Sequence, residues 1–146
     1  MPPAACTLRP LTIADYEPAR RLWEESEGVG LSESDTREAI ACYLVRNPGL
    51  SLVALTPAGE IVGAVLCGHD GRRGYLHHLA VSRAHRGKGL GRKLVQECLS
   101  RLRTEGITKC NIFLFATNDA GRAFWVHEGW ALRGDLLVLQ HGTADR

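Results

Sequence analysis

The sequence predicts an α/β layered fold built on a mixed sheet, and three features predict it. Runs of alternating hydrophobicity and runs of helical period succeed one another in the order β-α-α-β-β-β-α-β-α-β. Two β-rich runs at residues 50–55 and 61–68 are joined by Thr56-Pro57-Ala58-Gly59-Glu60, a loop of turn formers that makes them antiparallel neighbours. A strand-helix-strand unit over residues 75–116 makes its two strands parallel, so the sheet is mixed and mostly antiparallel. With 146 residues, 45% of them hydrophobic and 23% charged, the chain fits one compact domain over residues 1–146. Neither a repeat nor a linker divides it.

Residues 7–9 form the first short strand. Thr12 then caps a helix that runs to about Ser26, with Asp15 three residues on at the capping-box position. Its apolar positions Tyr16, Ala19, Leu22 and Trp23 recur at helical spacing, and Gly28-Val29-Gly30 stops it. Ser34 or Asp35 is expected to cap a second helix, Ile40, Tyr43 and Leu44 form its buried stripe, and Asn47-Pro48-Gly49 ends it. After the hairpin, residues 70–74 turn the chain again. Residues 75–81 then read as a strand, 89–104 as a helix, 109–116 as a strand, 118–128 as a helix and 130–140 as a last strand.

Composition excludes several function classes. Eighteen basic residues against 16 acidic ones leave a formal charge of +2, too small to name nucleic acid as the partner. The longest apolar runs, such as residues 61–67, fall far short of the ~20 residues that a membrane helix requires. Residues 1–5 have neither the basic nor the apolar region of a leader, so a soluble, cytoplasmic protein is expected. Cys6, Cys42, Cys67, Cys98 and Cys110 are scattered without a Cys-x-x-Cys pair; they are expected to be small core residues, and no metal site is expected.

The chemistry concentrates in Val81-Ser82-Arg83-Ala84-His85-Arg86-Gly87-Lys88-Gly89-Leu90-Gly91-Arg92-Lys93, between the strand at 75–81 and the helix that follows. Glycines on alternate positions let backbone approach a ligand closely, and the start of a helix offers unpaired N–H groups to an anion. Two nucleotide motifs fail on spacing. No Ser or Thr follows Gly-Lys, as magnesium binding in a P-loop would require. The glycines run G-x-G-x-G rather than G-x-G-x-x-G, so the dinucleotide fingerprint is incomplete.

The segment Arg86-Gly87-Lys88-Gly89-Leu90-Gly91 resembles the Arg/Gln-x-x-Gly-x-Gly/Ala pyrophosphate loop of the GNAT superfamily of acyl-CoA-dependent N-acyltransferases. Leu79-Ala80-Val81 precedes it at the strand end. Asn118-Asp119-Ala120 and Phe124-Trp125-Val126-His127-Glu128-Gly129-Trp130 resemble the family's Asn-x-x-Ala, Phe-Tyr and Gly-Phe pattern. The element order is similar over nearly the whole chain, and the likeness is to the small, stand-alone members of bacterial type. The resemblance implies acetyl-CoA or another acyl-CoA as cosubstrate, in a cleft between parallel strands 75–81 and 109–116 that splay apart. It implies that Leu79, Ala80 and Val81 line the pantetheine, with Asn118 facing the same arm. It also implies that N–H groups from Arg86 through Gly87, Lys88, Gly89, Leu90, Gly91 and Arg92 meet the pyrophosphate. The side chains of Arg83, Lys88, Arg92 and Lys93 are either phosphate contacts or solvated surface.

The family's reaction is transfer of the acetyl group to a primary amine by direct attack through a tetrahedral intermediate. It needs a base, an oxyanion donor and a proton for the departing thiolate. By family analogy the donor is a backbone N–H near Leu79. Period-two alternation puts Tyr75, His77, Leu79 and Val81 on one face and Leu76, His78 and Ala80 on the other, so the two histidines should not share a role. His77 is the first candidate base, and His78 reads as structural. Residues 75–81 also resemble the arylalkylamine N-acetyltransferase branch, which has histidines at the positions of Tyr75 and His77. Trp125 departs from the family, where a tyrosine hydroxyl protonates the thiolate; indole N–H can stabilise that charge but is no practical acid. An active enzyme or a non-catalytic acyl-CoA-sensing module would both accommodate that change, and the low pKa of thiols favours the enzyme. Residues 24–35 carry acid and no base, and read either as a wall for a cationic acceptor or as a solvated loop. The apolar last strand is either internal or an edge that could pair in a homodimer.

Overall fold

A computed structural model describes residues 5–144. Part of the segment expected to lack a leader, residues 1–4, and the end of the polar tail, residues 145–146, lie outside the described residues. The chain forms two compact units that divide between Phe115 and Ala116.

The first unit carries a five-stranded sheet in the order β1-β2-β3-β4-β5, with β1 at Thr7–Pro10, β2 at Leu52–Leu55, β3 at Ile61–His69, β4 at Gly74–Val81 and β5 at Cys110–Ile112. The first three neighbouring pairs are antiparallel and β4–β5 is parallel, as expected of a mixed sheet. Helices α1 (Tyr16–Glu24) and α2 (Arg37–Arg46) lie between β1 and β2 in sequence, and α3 (Leu90–Thr104) joins β4 to β5.

Alternation along the strands sends neighbouring residues to opposite faces. Ala64 joins Val53, Leu66 and Ala80 in a core cluster with Tyr16, Ala19, Leu22 and Trp23 of α1 and Ile40 of α2. Gly63 faces the other way, where a Cβ would stand 3.1 Å from Leu94 of α3. Leu90, Leu94, Val95, Cys98 and Leu102 form the buried stripe of α3, at the spacing of one helix face. Trp23 is wholly buried, and a side chain of that size contributes about 3 kcal/mol through apolar burial.

Capping follows local chemistry. The Asp15 carboxylate accepts the Thr12 N–H at 2.9 Å and opens a single 3₁₀ turn, Ile13–Asp15, ahead of α1. Ser32 and Asp35 make the same reciprocal arrangement around a second 3₁₀ turn, Glu33–Asp35. The cap of α2 is therefore Thr36, whose hydroxyl accepts the Ala39 N–H at 3.1 Å, and not Ser34 or Asp35. Asp35 is already committed to the preceding turn.

Two strand expectations are corrected. β5 ends at Ile112 rather than reaching residue 116, because its pairing stops at Leu76↔Ile112, just before β4 bulges. In the second unit, which holds α4 (Asp119–His127), residues 130–140 form no strand. A turn interrupts that run: Leu136 N–H bonds to the Arg133 carbonyl, and the Arg133 guanidinium grips the Asp135 carboxylate at 2.9 and 3.0 Å. A dimer paired through a last strand thus loses its basis. The cysteines also divide: Cys67 and Cys98 are buried in the core, whereas Cys42 is exposed on α2, and Cys6 and Cys110 are half-buried.

Candidate active site

β4 does not keep the alternation its sequence suggests. Ala64 pairs with Ala80 and Leu66 with His77, so Val65 stands opposite both His78 and Leu79. The extra residue is a β-bulge, and His78 takes a left-handed φ of 56° within it. The bulge resets the phase of the strand. His77 and His78 therefore line one cleft on the face that carries α1 and α2, with ring centroids 6.4 Å apart, instead of pointing to opposite faces.

The cleft has a volume of about 570 Å³, and its wall includes Ser32, Asp35, Tyr43 and Arg46 besides the two histidines. Asp35 Oδ1 lies 2.7 Å from His78 Nε2, while Oδ2 accepts the Ser32 N–H at 2.9 Å. The Asp35 carbonyl accepts the Tyr16 hydroxyl at 2.6 Å and the Arg20 guanidinium at 3.3 Å. Asp35 is only 5% exposed, and this network fixes it from both its own turn and α1. The His78 ring packs against Trp23 with centroids 5.2 Å apart.

His77 sits in a different environment. It stacks on Tyr75 at 6.4 Å and on Phe113 at 6.2 Å, and meets the Tyr43 ring edge-on at 6.5 Å. Tyr75 in turn stacks on Phe113 at 5.9 Å. Burial, with a smaller contribution from His78, lowers the His77 imidazole below its ordinary value, and Asp35 offsets part of the effect. Burial also raises the Tyr43 phenol well above its usual range, so Tyr43 stays protonated.

Past β4 the chain turns into α3 through Gly87 and Gly89, whose φ values of 76° and 79° favour glycine. A Cβ at either position would meet no atom within 4 Å, so the backbone there is open on the outside. Gly91 is instead the second residue of α3. The first bond of that helix runs from Lys93 N–H to the Gly89 carbonyl, leaving the Leu90 and Gly91 amides ahead of the helical ladder. The Arg86 guanidinium donates to the Val81 carbonyl at 3.0 Å, and Arg83 pairs with Glu27 at 2.6 Å. Two acidic groups expected to face an acceptor, Glu27 and Asp35, thus have partners within the first unit.

In the second unit the Asn118 carboxamide caps α4 by accepting the Gly121 N–H at 2.9 Å. Trp125 packs edge-to-face on Phe124 at 5.2 Å and on Trp130 at 4.9 Å. Asp35 and Ser32 were anticipated only as part of an acidic acceptor wall, and the contact of Asp35 with His78 was not anticipated. The Ser32-Glu33-Ser34-Asp35 spacing was the available signal, since a serine and an aspartate three apart make a capping box that holds the carboxylate in place.

The profile of the acetyltransferase (GNAT) family matches residues 16–130. An acetyltransferase of Sodalis glossinidius is 30% identical over 125 residues, which cover 86% of this chain and 87% of that protein. One of Yersinia enterocolitica is 34% identical over 113 residues, covering 77% and 79%. Among solved structures, the PaiA N-acetyltransferase of Thermoplasma acidophilum in complex with coenzyme A superposes with a TM-score of 0.76 at 19% identity, over 89% of this chain and 92% of that one. Ard1 of Thermoplasma volcanium gives a TM-score of 0.77 at 23% identity, over 89% and 85%. The open glycine turn at the start of α3 and the imidazole-lined cleft on β4 thus belong to an acyl-CoA-dependent acetyltransferase, and the chain is a member of the GNAT superfamily of N-acetyltransferases.

Proposed function

We propose that the enzyme transfers the acetyl group of acetyl-CoA to a primary amine by direct attack of that amine on the thioester. The observation that carries this reading is the bulge of β4, which turns two imidazoles into one cleft and takes His78 and Leu79 out of register with β3. When bound, acetyl-CoA supplies the activated acetyl carbon and a thiolate leaving group. In this reading the Leu79 N–H is the oxyanion donor, and the backbone of Leu79, Ala80 and Val81 lies along the pantetheine. The family match crosses both compact units, which supports reading them as parts of one acetyltransferase domain.

The residues present fit a pyrophosphate at the turn into α3. Gly87 and Gly89 leave the backbone open, the Leu90 and Gly91 amides lie ahead of the helical ladder, and the dipole of a 15-residue helix favours an anion there. Arg86 donates to the Val81 carbonyl and so shapes the turn, and Lys88 and Arg92 supply positive charge to the same loop. Asn118 is assigned to the pantetheine arm and Trp125 to electrostatic support of the departing thiolate. Among the described residues no helix is long and apolar enough to cross a membrane, which fits a cytoplasmic site of action.

Thiol release from acetyl-CoA tests the reading, with phenethylamine, spermidine and an alanine-initiated tetrapeptide as acceptors and calorimetric CoA binding recorded on the same sample. Amine-dependent release is expected. Tight CoA binding with no release for any of these amines would contradict the primary-amine assignment, and no CoA binding would contradict the cosubstrate.

A further inference from the structure

We propose that His78, oriented by Asp35, takes the proton from the acceptor's ammonium group, and that His77 forms part of the cleft's aromatic wall instead. The assignment rests on the acetyl-transfer reading above and reverses the expectation from strand alternation.

The geometry distinguishes the two rings. His78 Nε2 faces Asp35 Oδ1 at 2.7 Å, and an ionised carboxylate only accepts, so in the neutral ring Nε2 carries the proton and Nδ1 the lone pair. No hydrogen bond occupies Nδ1 among the described residues. The carboxylate is itself immobilised by the Ser32 N–H, and its backbone by Tyr16 and Arg20. Trp23 packs against the ring. A base held by hydrogen bond to a fixed carboxylate has its tautomer and direction set before the substrate arrives. The left-handed backbone at His78 is strained for a histidine, and it is this conformation that turns the ring into the cleft. His77 has ring contacts but no hydrogen bond among the described residues, so nothing selects its tautomer. Burial favours its neutral form without a carboxylate in contact to balance the imidazolium.

In the step itself, one proton of R–NH₃⁺ passes to His78 Nδ1, directly or through one water. The freed nitrogen lone pair forms the C–N bond to the thioester carbon. The C–S bond breaks with its electron pair leaving on sulfur, and a second proton from nitrogen ends on the thiol. His78 returns its proton to solvent, so ammonium and thioester become amide, thiol and one proton. Asp35 is a positioning residue throughout. The groups that bear on the titration of His78 are Asp35 from the 3₁₀ turn, His77 from β4 itself, and Cys42, Tyr43 and Arg46 from α2, which line the same cleft. Arg20 of α1 acts on it only through the Asp35 carbonyl.

The test compares His78→Asn, Asp35→Asn and His77→Gln, because asparagine tolerates the left-handed φ that position 78 requires. Initial thiol release with phenethylamine and spermidine is followed from about pH 5.5 to 9, across the ordinary imidazole range. CoA affinity is measured by calorimetry, and ¹⁵N NMR of the imidazoles in the free protein reports the tautomers. His78→Asn is expected to lose about 100-fold in kcat/KM and the imidazole limb of the pH profile, with CoA affinity unchanged. Asp35→Asn is expected to lose about tenfold and to turn the single Nε2–H tautomer of His78 into a mixture. His77→Gln keeps the wild-type limb. A wild-type limb in His78→Asn, loss of that limb in His77→Gln, or an Nδ1–H tautomer in the wild type would overturn the assignment. If thiol is released by the wild type and the His78→Asn limb is unchanged, only this assignment fails. If no amine elicits release from the wild type, the acetyl-transfer reading fails and takes the assignment with it.

Discussion

Burial depresses the His77 imidazole, so the folded protein resists protonation there while an unfolded chain takes up a proton near pH 6.5. The stability this group contributes is present above about pH 6.5 and is lost as pH falls toward the lower folded value. His77→Gln removes the titration, and its denaturant midpoint should therefore fall less than the wild type's between about pH 7 and 5. Equal slopes would contradict burial as the cause. Asp15 has the same sign for a different reason. The Arg9 guanidinium at 2.7 and 2.9 Å holds the Asp15 carboxyl below the usual carboxylate range, with the Thr12 N–H adding to the effect. Its contribution is present above about pH 4 and lost as pH falls below that. Asp15→Asn should lower unfolding stability by about 1–2 kcal/mol at neutral pH, with the difference closing in acid. An undiminished difference at low pH would contradict the ion pair's role. His77 was legible as a cleft residue, and Tyr75 as its neighbour on the same face, because they lie on a run with clear alternation. The pairing of Asp35 with His78 was not, since it joins a capping turn to a strand 43 residues away.

Helix α3 shows what one element reveals of itself. Its bounds and buried face follow from a repeating apolar stripe, and its glycine-rich start follows from composition, so both were readable along the chain. The bulge of β4 was not, because a bulge is a mismatch between two strands and the period-two pattern of one strand carries no record of it. The run at 130–140 misled for a related reason: its hydrophobicity is that of a strand, but the Arg133–Asp135 contact makes a turn in its middle. Gly89→Ala tests the start of α3 against Gly106→Ala beyond its end, since both positions have a left-handed φ, 79° and 83°. Each should destabilise the protein by about 1 kcal/mol. Only Gly89→Ala should also weaken CoA binding, by about tenfold or more, because only there would the added methyl stand between backbone and phosphate. Equal CoA affinities in the two variants would remove the pyrophosphate assignment.

Across the whole chain, the family likeness runs through residues 16–130, and its most specific motif, the alternate glycines after β4, was visible without a structure. The cleft that holds His77 and His78 required the fold, because it gathers the turn before α2, one face of α2 and the bulged strand into one wall. The small formal charge of +2 fits a partner met by a local anion site rather than by a basic surface. Transfer of isotopically labelled acetyl from acetyl-CoA, followed by mass on both protein and amine, addresses the central claim most directly. Label is expected on the nitrogen of a primary amine in stoichiometry with released CoA, and none on the protein. Label held by the protein before it reaches the amine, or CoA released without labelled amide, would contradict direct transfer.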